Sequence, residues 1–183
     1  MADLFFDPDG LTLLPFGLPG MIFRSPMPFR EADKDGKLFG QYQQAEVRAV
    51  VVLAETDELT RKTNRDLLGL YANHSLDVIH CPIPDYSVPQ SLETLQCALK
   101  TVLSLANQGI NVAIHCYAGY GRTGLFMGCL AKTIFGFSGD QAIAWVRQYI
   151  PTALENVAQE AFVLEFEPGG HDVDQTCNDR NLG

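Results

Sequence analysis

Basic side chains are scarce in this 183-residue chain: 13 Lys and Arg stand against 22 Asp and Glu, giving a formal net charge of −9. So large an acidic excess argues against broad adhesion to nucleic acid or to an anionic membrane surface. An anionic substrate then has to be held by a focused local field. Long hydrophobic runs are missing too; none approaches the length of a membrane span. The opening MADLFFDPDG has no basic stretch followed by an apolar one and is read as carrying no secretory signal. The five cysteines form no C-x-x-C pair, and their number is odd. Reduced thiols, and with them a cytoplasmic location, are the expectation. No metal-ligand cluster is visible, so neither a metal nor another cofactor is expected. There is no internal repeat.

What is present suits a globular protein: 46% hydrophobic and 19% charged residues, in a length typical of one domain. The first forty residues are rich in Pro, Gly and Phe and aperiodic. They read as an N-terminal segment (1–17), a short strand (18–26) and an exposed connection (29–40). VRAVVVLAE (47–55) is continuously apolar, which suits a buried strand with parallel neighbours. A helix over 57–72, a strand over 76–83 and a helix over 91–107 with Gly109 as its C-cap follow. Residues 110–115 read as a third strand, and a helix begins near Arg122. Ser138 with Gln141, and Asn156 with Gln159, fit capping boxes of helices running to Tyr149 and about Phe166. The polar stretch 167–183 is expected to be a flexible tail. Alternating strands and helices predict an α/β fold: one domain over 18–166 with a central, mostly parallel sheet flanked by helices.

Two phosphate-site patterns overlap in 112-VAIHCYAGYGRTGLFMGCLAKTIF-135. Gly119, Gly121 and Gly124 spell G-x-G-x-x-G, while His115, Cys116, Arg122 and Thr123 spell H-C-x5-R-T. A dinucleotide loop also requires an acidic residue at the end of the next strand. Asp140 has the spacing but falls at a helix start, and Arg122 would sit inside the fingerprint. The nucleophile reading uses more residues. An ordinary thiol, with a pKa of about 8.5, is mostly protonated at neutral pH. Converging backbone N–H groups, a helix N-terminus and the Arg122 guanidinium would each favour the thiolate, and the same three groups suit a phosphoryl dianion. The Thr123 hydroxyl is placed to hydrogen-bond the sulfur.

These residues carry a resemblance. HCYAGYGRTG resembles the signature of cysteine-dependent protein phosphatases, and is most similar to small dual-specificity phosphatases. TRKTNRDLLGLYANHSLDVIHCPIPDYSVP extends the similarity toward their kinase-associated branch. The resemblance implies the cysteine-phosphatase fold, with a phosphate-binding loop between strand and helix. It implies Cys116 as nucleophile and Arg122 as phosphate clamp, with Tyr117, Ala118, Gly119, Tyr120 and Gly121 around the phosphate. It also implies a general-acid aspartate about thirty residues ahead of the cysteine, where PIPDYSVP places Asp85. Read alone, an Asp after Pro at a strand end is a turn residue; Asp57 and Asp77 lie outside the matching motif. Gln159 matches the position beside the hydrolytic water, and His115 the histidine that fixes the loop. His80 reads as structural. Where some relatives have a second cysteine there is Ala54, and Cys81 and Cys129 are expected to be buried and inert. The loop has no lysine, which disfavours highly anionic lipid headgroups. The implied activity is hydrolysis of phosphotyrosine, phosphoserine or phosphothreonine in proteins by a monomeric enzyme, with a protein kinase as candidate partner. Two rival readings are a phospho-dependent binding module and an RNA 5′-phosphatase; the acidic charge counts against the latter.

Overall fold

The computed structural model describes residues 6–169. Its centre is a five-stranded sheet in the order β1-β2-β5-β3-β4. The strands are β1 (Thr12–Leu14), β2 (Ile22–Ser25), β3 (Val47–Val52), β4 (Asp77–His80) and β5 (Asn111–His115). β1 runs antiparallel to β2 at one edge, and the remaining pairs are parallel. The α-helices among the described residues are α1 (Lys37–Gln44), α2 (Thr56–Thr63), α3 (Leu67–Asn73), α4 (Leu92–Asn107), α5 (Gly121–Phe135), α6 (Gly139–Tyr149) and α7 (Val157–Glu165).

Strand side chains alternate between two cores, which is why β3 reads as unbroken apolar sequence. Ala49 and Val51 point into one core with Val112, Ile114 and residues of α4 to α7. Val50 and Val52 point into the other with Ala113, Leu38, Phe39, Leu59 and Tyr71 from α1 to α3. β5 lies between β2 and β3, covered on both faces, so its carboxyl end opens where ligands bind in open α/β sheets. The α5 helix that follows is buried from Gly121 through Lys132. Lys132 extends its amine to the carbonyls of Val163 (3.2 Å) and Leu164 (3.1 Å), closing the end of α7.

Several elements differ from the expectations. Thr12–Leu14 forms an edge strand inside the segment expected to be aperiodic. The supposed connection 29–40 contains a 3-10 turn (Glu31–Asp33) and the start of α1, whose Leu38, Phe39 and Tyr42 face the core. The run 57–72 is two helices rather than one. Asn64 takes a left-handed conformation (φ 54°) that ends α2, and Asp66 caps α3 by accepting from the Gly69 N–H at 3.0 Å. Of the two expected capping boxes, only Ser138–Gln141 is complete. At α7 Asn156 caps the Gln159 N–H, but the Gln159 side chain accepts from Glu155 N, one residue too early for a box. From position 170 onward, the expected tail lies outside the described residues.

Candidate active site

Cys116 follows the last residue of β5 and is 3% exposed. The loop 116–120 curls over its sulfur, and the Gly119 N–H donates to Sγ at 3.2 Å. Arg24 on β2 explains the curl. This fully buried side chain donates from Nε to the Gly119 carbonyl (2.8 Å) and from Nη2 to the Ala118 carbonyl (2.9 Å). A third donation, from Nη1, goes to the Asp7 carbonyl at 2.7 Å. Its guanidinium also lies 4.9 Å from the ring centroids of both Phe6 and Tyr120. Two loop carbonyls are thus turned onto Arg24, while the Gly119 N–H turns to the sulfur, an arrangement that suits an anion-binding nest. Burial depresses the Arg24 pKa from its usual value, against the opposing pull of Tyr120 and Cys116. Gly119 is obligatory at this point: φ is +79°, and a Cβ would stand 2.4 Å from the Ser25 carbonyl oxygen.

Arg122, in the first turn of α5, is fixed from the opposite side. Its Nη1 and Nη2 donate to the two carboxylate oxygens of Glu58 at 2.6 and 2.9 Å, and Nη1 also reaches the Ile83 carbonyl at 3.2 Å. Both residues are 3% exposed. Burial lowers the Arg122 pKa, but the hydrogen bonds to Glu58 and the charges of Cys116, Glu58 and Asp85 outweigh it, leaving the group above its ordinary value. Arg122 is thus a permanent cation held in one orientation. Asp85 stands in an exposed turn after β4, with Oδ1 2.9 Å from Arg122 Nη2. Asp85, from a separate stretch of the chain, is thereby brought to Arg122, six residues along the same loop segment from Cys116. Asp57, in the first turn of α2, and Asp77, at the start of β4, are exposed.

Beneath the loop, His115 is fully buried between the Tyr71 hydroxyl (Nε2, 3.0 Å) and the Cys116 carbonyl (Nδ1, 2.9 Å). Desolvation pushes its pKa down to about 4, so at neutral pH it is an uncharged bracket for the loop. His80 bonds the Ala54 carbonyl at 3.0 Å. Thr123 is fully buried, and its Oγ1 has no hydrogen-bond partner among the described residues. The expected bond to sulfur is not made in this state. Cys81, Cys116 and Cys129 are free thiols. Burial raises the Cys81 pKa to about 12 and that of Cys129 further, which suits inert core residues. Cys97 is disulfide-bonded, so the expectation of five reduced thiols fails at that position.

The N-terminus of α7 closes the site. Gln159 is fully buried against Gly121, where an added Cβ would meet its Oε1 at 2.9 Å. Its Nε2 donates to the Ser87 carbonyl at 3.3 Å, and the Asn156 Nδ2 donates to the Tyr86 carbonyl at 2.9 Å. On the other side, Tyr117 is half-buried under the Lys62 ammonium, 4.3 Å from the ring centroid. Sequence reasoning misses Arg24, Glu58 and the second bond of Asn156. A charge inside the apolar IFRS strand is a usable signal for Arg24. Glu58 reads as an ordinary acidic residue in the first turn of a helix.

A family model described as "Polymorphic toxin system, DSP-PTPase phosphatase" matches residues 30–134. A curated relative, the protein tyrosine phosphatase domain-containing protein 1 of Danio rerio, is 40% identical over 82 residues. That alignment takes in 45% of this chain and 11% of the relative, so the chain spans about a tenth of that protein. A crystal structure of kinase associated phosphatase, with its catalytic-site cysteine replaced by serine, superposes with a TM-score of 0.78. The match covers 87% of this chain and 94% of that one at 21% identity, a likeness of fold. A crystal structure of Tk-PTP in a glycine-to-alanine mutant form is 32% identical, with a TM-score of 0.64, over 79% of this chain and 89% of that one.

Proposed function

Because the chain belongs to the DSP-PTPase phosphatase family, we propose that it hydrolyses phosphate monoesters on proteins through a phosphocysteine intermediate, without a metal. The observation that carries this reading is the Arg122–Asp85 contact at 2.9 Å, which brings a carboxyl group to the arginine above the Cys116 loop. A phosphoryl dianion seats against the loop N–H groups and takes the edge of Arg122 that faces Asp85. The Cys116 thiolate attacks phosphorus in line. The Sγ–P bond forms as the P–O bond to the leaving group breaks, and protonated Asp85 gives its proton to the departing oxygen. In the second step water attacks phosphorus, passes a proton to Asp85, and the Sγ–P bond breaks to return the thiolate. Gln159, packed against Gly121, is the residue proposed to orient that water, and Thr123 Oγ1, unpartnered among the described residues, is proposed to turn to the sulfur as it leaves. The loop and Arg122 act by electrostatic preorganisation, their orientation already fixed by Arg24 and Glu58.

Phosphotyrosine, phosphoserine and phosphothreonine proteins are the proposed substrates, with a protein kinase as a candidate partner. The test is turnover of p-nitrophenyl phosphate and of a phosphopeptide panel in excess chelator, beside a Cys116→Ser variant. Turnover by the wild type and none by a folded variant is expected. A requirement for added metal, or activity that survives Cys116→Ser, overturns the assignment.

A further inference from the structure

The turn that carries Asp85 has little to hold it. Asp85 and Tyr86 are exposed, and Tyr86 takes a left-handed backbone conformation (φ 53°) that is unfavourable for a bulky residue. Within the turn, the Ser87 N–H donates to the Pro84 carbonyl at 3.0 Å. Three contacts then tie it to the rest of the site: Asp85 to Arg122, Gln159 Nε2 to the Ser87 carbonyl, and Asn156 Nδ2 to the Tyr86 carbonyl. The first is lost when a phosphate oxygen takes Arg122, which is also when the acid has to be in place. Of the remaining two, the Asn156 bond is the shorter at 2.9 Å against 3.3 Å.

We propose that Asn156 is a positioning residue for the general acid. Its single amide group latches the Asp85 turn over the phosphate loop while also capping α7. This rests on the phosphatase reading above and adds a residue to it. The amide divides the two tasks between its atoms: Oδ1 accepts from the Gln159 N–H at 3.0 Å, and Nδ2 donates to Tyr86. Because α7 packs on α5 through Val163 against Gly128, the latch sets the acid relative to the helix that carries Arg122. A turn loosened from α7 would still sample the productive position, but less often.

That division of labour gives the test. Asn156→Asp and Asn156→Ser both keep an oxygen to cap α7 and remove the Nδ2 donor. The readout is kcat/KM, which covers the step that expels the leaving group, for p-nitrophenyl phosphate and phenyl phosphate. Nitrophenolate leaves readily without a proton, whereas phenolate depends on the acid. Both variants are expected to lose about five- to tenfold on phenyl phosphate and about twofold or less on p-nitrophenyl phosphate, with the thermal midpoint unchanged. An equal loss on both substrates accompanied by a lower midpoint means a structural cap only, and overturns the latch. So does an unchanged ratio with an unchanged midpoint. No turnover of either substrate by the wild-type protein overturns the phosphatase reading itself, and the latch with it.

Discussion

Glu58→Gln isolates the support of Arg122, the proposed phosphate clamp. Both carboxylate oxygens accept from Arg122, at 2.6 and 2.9 Å, and both residues are 3% exposed. Glutamine keeps the shape and one acceptor but sets an N–H₂ group against a guanidinium N–H and leaves a buried cation short of a partner. Breaking a buried pair in this way costs about 3–5 kcal/mol. Asp85 retains a contact with Nη2, so the loss should fall at the lower end, about 3 kcal/mol. Arg122 also loses the fork that orients it, and losing one preorganised donor to a developing charge lowers kcat by about a hundredfold. Glu58→Asp is the companion: charge is kept and the fork spoiled, so stability should drop less than activity. Urea unfolding at pH 7 and p-nitrophenyl phosphate kinetics read the two effects. Stabilities within about 0.5 kcal/mol of wild type for both variants, with rates within twofold, would refute the claim that Glu58 holds Arg122 in place.

His115 makes stability depend on pH. Its folded-state pKa of about 4 lies below the unfolded value, so the neutral ring's contribution is complete above about pH 6.5 and drains away as pH falls toward 4. Between pH 7 and 5 the cost from this one group is about 2 kcal/mol. His115→Gln should shrink the difference between urea midpoints at those two pH values accordingly, and an undiminished difference would count against a buried neutral imidazole. Gly119→Ala forces a Cβ to within 2.4 Å of the Ser25 carbonyl at φ +79°. The left-handed backbone alone costs about 1–2 kcal/mol, and relief of the clash pulls the loop off Arg24. A soluble protein with activity reduced about a hundredfold is expected; near-wild-type kinetics would mean that the loop tolerates an outward shift.

The legible parts of the site are those in which physical need and sequence proximity coincide. β5, the glycine loop and the start of α5 lie in one unbroken segment, and Cys116 and Arg122 stand at a fixed offset along it. Asp85 is legible only by resemblance; locally it is one more acidic residue after a proline. Arg24 and Glu58 are illegible because their meaning is in partners far along the chain: a strand arginine gains its role from carbonyls on another strand's loop. The misread elements have local causes. The apolar residues of the run 57–72 cluster in α3, and its break into two helices is made by the left-handed Asn64 and the Asp66 cap, neither of which interrupts a hydrophobic pattern. The first turns of α1 are hidden by the glycines and charges of KDGKLFG, although Leu38, Phe39 and Tyr42 keep helical spacing. Asn156 reads as a cap, which it is; its second bond depends on where the Asp85 turn comes to rest.

The sequence distances spanned by the contacts around the phosphate loop bear on how the enzyme is born. Arg24 bonds Gly119 across 95 residues, Glu58 bonds Arg122 across 64, and Asn156 reaches Tyr86 across 70. Contacts of such span form late, because the entropy of closing a long stretch of chain must be overcome before any contact rewards it. During synthesis, at about 5–20 residues per second, Cys116 is made several seconds ahead of Asn156. A nascent chain therefore holds its thiol before it holds Asn156, the proposed support of the Asp85 turn. On the proposed mechanism, turnover of a substrate that needs the acid requires all of these long-span contacts, and so would report on completed folding from β2 to α7.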